Sequence, residues 1–392
     1  MNIIKNFLQK ESASGILIIL AMILALILAN NGVLNEFYSE ILRLDSGIIF
    51  GEFKLIKPTI LWVNDGLMAI FFFFIGLELK YEFLEGELNS ISKVALPSIA
   101  GIGGVIVPAV IFYILNHSNS FDVNGWAIPT VSDTAFALAV LFLLGSRIPI
   151  SLKLFLLSLA IIDDVAAIII IAIFYTKTLS IISLFISFCA IVVLTILNYK
   201  NNQNTYVYLL CGLVLWVSVL MSGVHATLAG IIASMFIPLR DEDGDPEHGM
   251  LHSIMHFLHP IVAFLILPIF AFSNAGVVFS KDSILNLTHP VPLGIIFGLF
   301  IGKQIGVFSF AFLAIKCKLA ELPNGCGWLH LYGLSILTGV GMSMSLFIDG
   351  LAYAESDAFL YANKIAILLA STMCAVAGYI VLRKASKSQN EF

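Results

Sequence analysis

Nine apolar runs, each about 20 residues long, limit how this chain can fold more than any other feature of its sequence. They lie at residues 12–30, 59–80, 94–115, 150–174, 179–199, 254–279, 290–315, 327–349 and 358–383. Only 11% of the 392 residues are charged, too few to cover a soluble protein of this size. Lipid must therefore cover most of the surface. The sequence predicts an all-α membrane protein that is not an enzyme, with no cofactor and no nucleic-acid partner.

Three further apolar runs are short or interrupted, at residues 125–144, 205–218 and 223–236. The sequence therefore predicts about twelve spans, an even number that places both termini on one side. Thirteen of the 20 Lys and Arg residues fall on that side and five on the other, so the positive-inside rule predicts cytoplasmic termini. Between the first two spans, strand-type residues at positions 46–58, around Gly51, predict a small external β-hairpin.

Two adjacent acids, Asp163 and Asp164, interrupt the run "LSLAIIDDVAAIIII" at residues 157–171. A charge at the membrane centre costs at least about 2.5 kcal/mol unless it is paired or wet. Neighbouring residues of a helix point about 100° apart, so one acid can face a cavity while the other faces an adjacent helix. A structural salt bridge explains one acid well and a consecutive pair poorly, which makes both residues candidates for ion and proton binding.

Two spans carry signs of a break in the helix. In "WAIPTVSDTAFALAV", Pro129 removes a backbone donor, and Thr130, Ser132 and Asp133 are residue types that begin a new helix; an ordinary proline kink is the alternative. In "LTGVGMSMSLF", at residues 337–347, two glycines permit unwinding. Broken spans at matching places in the two halves of a chain indicate the binding site of a transporter.

A lysine lies in the middle of another span, in "GIIFGLFIGKQIGVF" at residues 294–308. Glycine recurs there at every fourth position, which gives the helix a smooth face for close packing. Lys303 lies beside this face and needs an acidic partner, for which Asp133, Asp163 and Asp164 are available. One cation among three acids leaves room for an additional cation.

Sodium is a hard cation, and such cations prefer oxygen ligands. Asp163 and Asp164 supply oxygens, and Thr130, Ser132 or carbonyl groups at the break can add more. Burial and a like charge raise the pKa of a carboxyl group, whereas a nearby cation lowers it, so H⁺ and Na⁺ can compete for the same oxygens. The residues thus predict exchange of these ions, while Asp133 and Lys303 offset the dipoles of the broken helices.

Other polar residues give weaker signals. The five candidates for pH sensing are Glu78, Glu82, His225, His256 and His259. Histidine titrates near neutral pH, and both glutamates lie at the end of the second span. Hydrogen bonding at a helix end, or simple solvation, explains each of them as well. Asp349 lies at the outer end of the eleventh span and needs no special role there.

These segments, together with "SGVHATLAG" and "LILPIFAFSNAGV", resemble those of the NhaA family of bacterial Na⁺/H⁺ antiporters, in the same order along essentially the whole chain. The resemblance implies twelve helices with inverted-topology repeats, in which the discontinuous spans four and eleven cross. It also implies electrogenic exchange of cytoplasmic Na⁺ or Li⁺ for external H⁺ by alternating access. Such a protein serves pH and sodium homeostasis in the bacterial inner membrane.

The resemblance also implies residue roles. It makes Asp163 and Asp164 the carriers of ions and protons, pairs Lys303 with Asp163, and assigns the compensation of helix dipoles to Asp133. Ser132 stands where the family usually has Thr. Met255 stands where the family often has an acid, and this difference predicts a shifted or shallower activation by pH.

At the domain level, we expect one transporter domain over residues 1–392. Its core bundle comprises residues 94–174 and 290–383, and an interface panel comprises residues 1–93 and 205–279; the hairpin at 46–58 forms a homodimer contact. The rival function is a sodium-coupled symporter of an organic anion, which needs a roomier polar pocket. A cation channel would need rings of acids or carbonyl loops, and the sequence has no such motif.

Overall fold

Lipid offers no hydrogen-bond partner to the backbone, and the apolar runs satisfy their own peptide groups by forming helices. The computed structural model describes residues 2–50, 53–86, 90–176, 180–241, 243–354 and 360–388. Within these residues, eight helices are long and apolar enough to cross a membrane, or up to ten if each of two bent pairs is one span. The chain is thus a mostly helical, multi-pass membrane protein, as predicted.

The first half of the chain carries a two-stranded sheet among its helices. The elements are α1 (Asn2–Asn30), α2 (Leu34–Arg43), β1 (Asp45–Phe50), β2 (Phe53–Pro58), α3 (Thr59–Leu61), α4 (Met68–Leu84), α5 (Ile91–Asn116), α6 (Ser120–Val123), α7 (Thr134–Leu143), α8 (Ile150–Phe174) and α9 (Ile181–Tyr199). A π-helical segment, Trp62–Leu67, joins α3 to α4 in one span, and a 3-10 helix, Asn124–Thr130, follows α6.

The second half is helical throughout its regular elements. These are α10 (Thr205–Leu220), α11 (Thr227–Phe236), α12 (Met250–Ile261), α13 (Leu267–Asn274), α14 (Lys281–Leu285), α15 (Pro290–Phe297), α16 (Lys303–Lys316), α17 (Trp328–Leu337), α18 (Met342–Ala352) and α19 (Leu360–Ser388). The π-helical segments Val262–Ile266 and Gly298–Gly302 join α12 to α13 and α15 to α16. The span expected at residues 254–279 begins earlier, at Met250, and its helix ends at Asn274.

The chain divides into two compact units. The first comprises Met1–Asn31, Ser90–Ala167 and Asn274–Phe392, and the second comprises Gly32–Asn89 and Ile168–Ser273. In the first unit, α1 packs along α7 so closely that Gly15 leaves no room for a Cβ atom beside Ala135 and Ala139. The N-terminal helix therefore belongs to the first unit by packing, whereas the expected panel of residues 1–93 included it.

In the second unit, α4 packs against α11 through a small-residue contact. Gly76 leaves no room for a Cβ atom beside Ser234. The Lys80 ammonium donates to the carbonyl groups of Met235 and Ile237, each at 2.7 Å. A cation at the last carbonyls of a helix satisfies groups that have no intrahelical partner, so Lys80 caps α11 from the neighbouring helix.

The predicted β-hairpin is present, with β1 and β2 paired antiparallel over their whole length. A two-stranded hairpin is marginal alone, and contacts to the following span hold this one. The indole N–H of Trp62 donates to the carbonyl of Ser46 at 2.8 Å, and the Lys57 ammonium contacts the Asp65 carboxylate at 2.6 Å. Gly51, the expected centre of the hairpin, lies outside the described residues.

The recurring glycines at residues 294–306 lie at close contacts, as the sequence predicts, and three of the four lie against α5. Gly302 lies against Pro108, and Gly306 lies against the carbonyl of Gly103; a Cβ atom fits at neither glycine. Lys303 lies between these two glycines in sequence and is fully buried. The close approach of α16 to α5 is therefore what encloses the lysine in protein.

We expect Gly306→Ala to destabilise the protein by about 1–3 kcal/mol, the usual cost of overpacking a tight contact. The added methyl group would meet backbone, which cannot move aside as a side chain can. Gly350→Ala is the matched control, because no atom lies within 4 Å of its Cβ position on α18. Thermal unfolding in detergent should show a lower midpoint for the first variant alone, and equal midpoints would contradict the packing.

Candidate functional site

The first break lies in the bent span that runs from α6 to α7. Pro129 has no N–H, and the 3-10 helix ends at Thr130. The backbone is then extended, with φ −101° and ψ 153° at Val131 and φ −108° and ψ 101° at Asp133. The two helical parts are bent by 43°. The predicted break is confirmed, but most of its first half is 3-10 rather than α-helix.

The second break joins α17 to α18, which are also bent by 43°. Residues 338–341 are not helical, and the glycines that were expected to permit unwinding lie at close contacts. Gly339 lies against the carbonyl of Leu299, and Gly341 lies against the hydroxyl of Ser345. Neither position has room for a side chain, so glycine serves both the unwinding and the packing.

The two breaks hydrogen-bond to each other. The backbone N–H of Asp133 donates to the carbonyl of Val340 at 2.6 Å. The hydroxyl of Ser132 lies 2.7 Å from the carbonyl oxygen of Thr338. Unwound backbone within a membrane must find its partners inside the protein. Here the first break supplies donors to carbonyl groups that the second break has released.

The carboxylate of Asp133 caps both of the helices that begin after a break. Its Oδ1 accepts the backbone N–H of Phe136 in α7 at 3.2 Å. Its Oδ2 accepts the backbone N–H of Ser343 in α18 at 3.0 Å and the hydroxyl of the same serine at 2.6 Å. A negative charge at a helix N-terminus is favourable, and this carboxylate meets two N-termini at once. The expected dipole compensation thus has a geometric basis.

A buried ion pair joins Lys303 to Asp163. The ammonium lies 2.6 Å from Oδ2 of the carboxylate, and the two residues are 0% and 2% exposed. The hydroxyl of Ser132 lies 2.5 Å from the same oxygen. That hydroxyl has one proton, so it donates either to Asp163 or to the carbonyl of Thr338. The structure therefore gives Lys303 the partner that the resemblance implied.

The second oxygen of Asp163 differs from the first. Oδ1 is buried and has no hydrogen-bond partner among the described residues, which is costly for a carboxylate oxygen. Asp164 is 7% exposed and follows Asp163 on α8. Thr130, the remaining predicted ligand, donates its hydroxyl to the carbonyl of Ala127 at 2.8 Å within the 3-10 helix.

Charge and donor type define what this site can bind. Asp163, Asp164 and Lys303 together carry one net negative charge when all three are ionised. One monovalent cation or one proton neutralises that charge, and oxygen atoms are the available ligands. Within the described residues, no group of three or more His, Cys, Asp or Glu side chains could hold a metal ion. The site suits a small alkali ion or a proton.

The candidates for pH sensing lie in the second unit. Glu78 and Glu82 are on α4, His256 and His259 are on α12, and His225 precedes α11. The ring of His259 lies 5.9 Å from that of Phe74 on α4. The ring of His252, which the sequence interpretation missed, lies 6.1 Å from that of Tyr81 and 6.5 Å from that of His256. The sequence could have indicated His252, because it lies four residues before His256 and therefore on the same side of a helix.

Outside the spans, the polar loop at residues 240–249 holds a titratable pair. Nδ1 of His248 lies 2.8 Å from Oδ2 of Asp245. This hydrogen bond lowers the pKa of Asp245 and raises the pKa of His248. Both side chains are exposed, so solvent and salt screen the interaction. The loop has the contacts of a solvated connector, as its composition predicts.

A buried acid at the end of α18 was misjudged from the sequence. Asp349 is only 4% exposed, so the expectation that it needs no special role is wrong. The side-chain amide of Asn363 donates to its Oδ1 at 2.8 Å. Position near the end of a span suggested contact with water, but α19 packs against α18 and covers the carboxyl group.

Comparisons with known proteins identify relatives along the whole chain. The family model described as Na⁺/H⁺ antiporter 1 matches residues 5–382. The chain is 96% identical over 390 residues to "Na(+)/H(+) antiporter NhaA 1" of Campylobacter fetus subsp. fetus, with 100% of both chains covered. It is 53% identical to "Na(+)/H(+) antiporter NhaA" of Campylobacter curvus, covering 99% of this chain and 98% of the relative. A protein of the same name from Sulfurovum sp. is 51% identical, with 98% of each chain covered.

The two caps at Asp133 generate a prediction. Asp133→Ala removes both, and at about 0.5–2 kcal/mol for each cap it should cost about 1–4 kcal/mol of stability. Asp133→Asn keeps one acceptor oxygen and should lose less. Thermal unfolding in detergent measures the difference, and an Ala variant as stable as the parent protein would show that the carboxylate does not hold the two helices.

Proposed function

Because the chain belongs to the Na⁺/H⁺ antiporter 1 family, we propose that it exchanges Na⁺ or Li⁺ from the cytoplasm for protons from outside, by alternating access across the bacterial inner membrane. The observation that carries the proposal is the buried couple of Asp163 and Lys303 beside two hydrogen-bonded helix breaks. The family is one of transporters. The rival function, symport of an organic anion, has no support, since the relatives are named as antiporters.

Competition at Asp163 and Asp164 couples the two ions. In the sodium-free state, Lys303 pairs with Asp163 and a proton neutralises the remaining negative charge. A sodium ion that enters takes oxygens from both carboxylates, with Ser132 and Thr130 as further ligands, and displaces that proton. The site then opens to the other side, where protons displace sodium. Because one occupant excludes the other, net movement of either ion requires exchange.

Lys303 makes the exchange electrogenic. When sodium takes the Oδ2 atom of Asp163, the ammonium loses its partner while it remains fully buried. Breaking a buried ion pair leaves an uncompensated charge, so in this proposal a second proton leaves the site when the pair breaks. Two protons then move for each sodium ion, and each cycle transfers one net charge.

The topology that we propose has twelve spans with both termini in the cytoplasm. Ten are the apolar helices and bent pairs, and the shorter helices α10 and α11 are the remaining two. The bent pairs are the crossed spans four and eleven of inverted repeats, which the hydrogen bonds from the first break to the second support. Residues 94–174 and 290–383 form the core bundle, and residues 1–93 and 205–279 form the interface panel, whose helix α1 packs against α7 of the core bundle.

The external hairpin at residues 46–58 forms a homodimer contact in this proposal. Its two strands have free edges, and an edge strand can pair with a strand of a second copy. The contacts of Trp62 and Lys57 hold the hairpin against the span that follows it. The position of the strand edges is therefore fixed relative to that span.

Activation by pH belongs to the second unit in this proposal. Glu78, Glu82, His225, His256 and His259 are the sensing residues, and histidine rings on α12 lie against aromatic rings on α4. A change of charge on α12 therefore acts on a helix packed directly against it. Met255 supplies no charge to this face, which predicts a shallower response than an acid at that position would give.

The exchange itself is tested in everted membrane vesicles with a preformed acid interior. Addition of NaCl should collapse the proton gradient with the parent protein and with Asp243→Asn, a variant of an exposed loop acid. Asp164→Asn should abolish the response, because a carboxamide neither releases a proton nor offers two anionic oxygens. A symporter would show no response to NaCl without its second substrate. Normal exchange by Asp164→Asn would reject the proposed site.

The sensing role of the histidines is tested with His256→Ala. The rate of exchange should depend on pH with a midpoint shifted by about one pH unit, the size of one lost charge interaction, while the maximal rate is kept. His117→Ala, a variant of an exposed histidine at the end of α5, is the control. An unchanged pH profile in His256→Ala would remove this residue from the sensor.

The dimer contact is tested by replacing residues 46–57 with a short Gly-Ser linker. Light scattering of the purified protein in detergent should then give the mass of a monomer, whereas the parent protein gives that of a dimer. A dimer that persists without the hairpin would place the contact elsewhere.

A further inference from the structure

The first unit contains a buried acid that the exchange mechanism does not use. Asp349 lies in the last turn of α18 and is 4% exposed. The amide of Asn363, on α19, donates to its Oδ1 at 2.8 Å. Lys364, the next residue of α19, attracts the carboxylate electrostatically. A second buried acid with a lysine on the neighbouring helix thus lies inside this unit, near the end of α18.

Buried oxygen atoms without a hydrogen-bond partner occur at this end of the first unit. Asn363 is only 1% exposed, and its amide oxygen has no hydrogen-bond partner among the described residues. Oδ1 of Asp122 and Oδ1 of Asn116 are also buried without a hydrogen-bond partner among the described residues. The two residues are 5% and 2% exposed. The hydroxyl of Tyr353, one turn after Asp349, donates to the carbonyl of Asp122 at 2.7 Å.

The orphan atoms at this end of the unit are all acceptors. A buried acceptor without a donor costs about 1–3 kcal/mol, and native proteins rarely keep several together. A group that brings an additional proton satisfies such atoms, whereas a further acceptor does not. The end of the unit formed by α6, α18 and α19 is therefore chemically suited to receive protons.

A polar face connects this couple to the helix breaks. Ser345, Asp349 and Tyr353 recur every four residues and so share one face of α18. The hydroxyl of Ser345 donates to the carbonyl of Ile128, next to the first break, at 2.8 Å. The distance from Ser345 to Asp349 along the helix is about 6 Å. The buried acid is one helical turn from a hydroxyl that contacts the breaks.

The face of α19 shows the same arrangement. Ser371 lies eight residues from Asn363, on the same side of the helix. Its hydroxyl oxygen accepts the backbone N–H of Gly341, in the second break, at 3.1 Å. Both helices thus carry polar groups at the breaks and at Asp349, although the spans around them are strongly apolar.

We propose that Asp349 is a second proton carrier, which takes up protons at the outer end of the first unit and delivers them toward the exchange site. The proposal rests on the proposed function and on the proposed topology, in which this end faces outward. The substrate of the site is the proton.

The proton transfer through Asp349 has three steps. A hydronium ion gives its proton to the Asp349 carboxylate, so that an O–H bond forms and a water molecule leaves. The Asn363 amide turns, and its oxygen accepts the new O–H group. The proton leaves toward the breaks when a water molecule accepts it as hydronium, which breaks the O–H bond and restores the carboxylate.

Other titratable groups lie near this acid. Among the described residues at this end of the first unit, they are Lys364 and Tyr361 on α19, Asp122 on α6, Lys281 and Asp282 on α14, His289 before α15 and Tyr353 just after α18. The 3-10 helix Asn124–Thr130 has none. Burial disfavours the charged carboxylate and so favours uptake of a proton, whereas the opposite charge of Lys364 favours its release.

The test uses purified, full-length protein in proteoliposomes with the pH set separately on each side. Asp349→Asn should lower the rate of Na⁺/H⁺ exchange at least about a hundredfold, the lower end of the range for loss of a positioned proton-transfer group. The loss should grow as the outer side becomes alkaline. Asp349→Glu should retain most activity, because a carboxyl group remains. Asp282→Asn, a variant of an exposed acid on α14 at the same end, is the matched control and should behave as the parent.

Two further measurements separate the possible outcomes. Isothermal titration of Na⁺ into Asp349→Asn should give the parent affinity, because Asp163 and Asp164 are intact. If the single variant does not fold, Asp349→Asn combined with Lys364→Met removes both charges and avoids an unpaired buried lysine; it should show the same loss of rate. A parent-like rate and outer-pH profile in either variant overturns the second carrier. Absence of exchange in the parent protein would instead overturn the proposed function.

Discussion

The ion pair of Lys303 and Asp163 is the interaction on which the rest of the site depends. Each charge alone would be very costly in the interior of a membrane protein, and each makes the other tolerable at 2.6 Å. A buried pair gains little net stability over apolar residues, so stability does not explain its presence. Its consequence is chemical: with an ionised Asp164 it leaves one net negative charge, and we propose that this charge attracts one small cation or proton.

The helix breaks place polar groups next to this ion pair and keep those groups away from lipid. Asp133 closes two helix N-termini with one carboxylate, and the Asp133 N–H and the Ser132 hydroxyl engage carbonyls of the other break. Glycines permit this density of contacts: Gly341 has no room for a Cβ atom at the second break, and the Cβ position of Gly104 lies 3.5 Å from the Lys303 ammonium. Packing by small residues thus encloses the charged couple.

The features that could be predicted are those that a short stretch of residues determines. The spans follow from apolar length, the first break from Pro129 with capping residues after it, and the acids from the cost of Asp163 and Asp164 in lipid. What could not be predicted depends on tertiary contacts. Among the residues themselves nothing decided which acid faces Lys303, because that requires the packing of α8, α16 and the first break. The resemblance to a family implied the pair that the structure contains.

A second group of features could not be predicted, because the sequence of a membrane helix gives few indications of how the helix packs. Membrane helices are apolar all round, so the sequence does not indicate which face is buried; the packing of α1 on α7 and the enclosure of Asp349 by α19 therefore had no sequence signal. The π-helical segments, such as Gly298–Gly302 before Lys303, likewise have no residue pattern that predicts them. Each becomes visible only when neighbouring helices are in place.

Proton release on sodium binding tests the central claim most directly. Na⁺ is titrated into purified protein in a weakly buffered solution at several pH values, and both bound sodium and released protons are measured. The account predicts that binding releases protons and that the protein lacking both carboxylates, Asp163→Asn with Asp164→Asn, neither binds nor releases. Full binding of sodium without any proton release would contradict it.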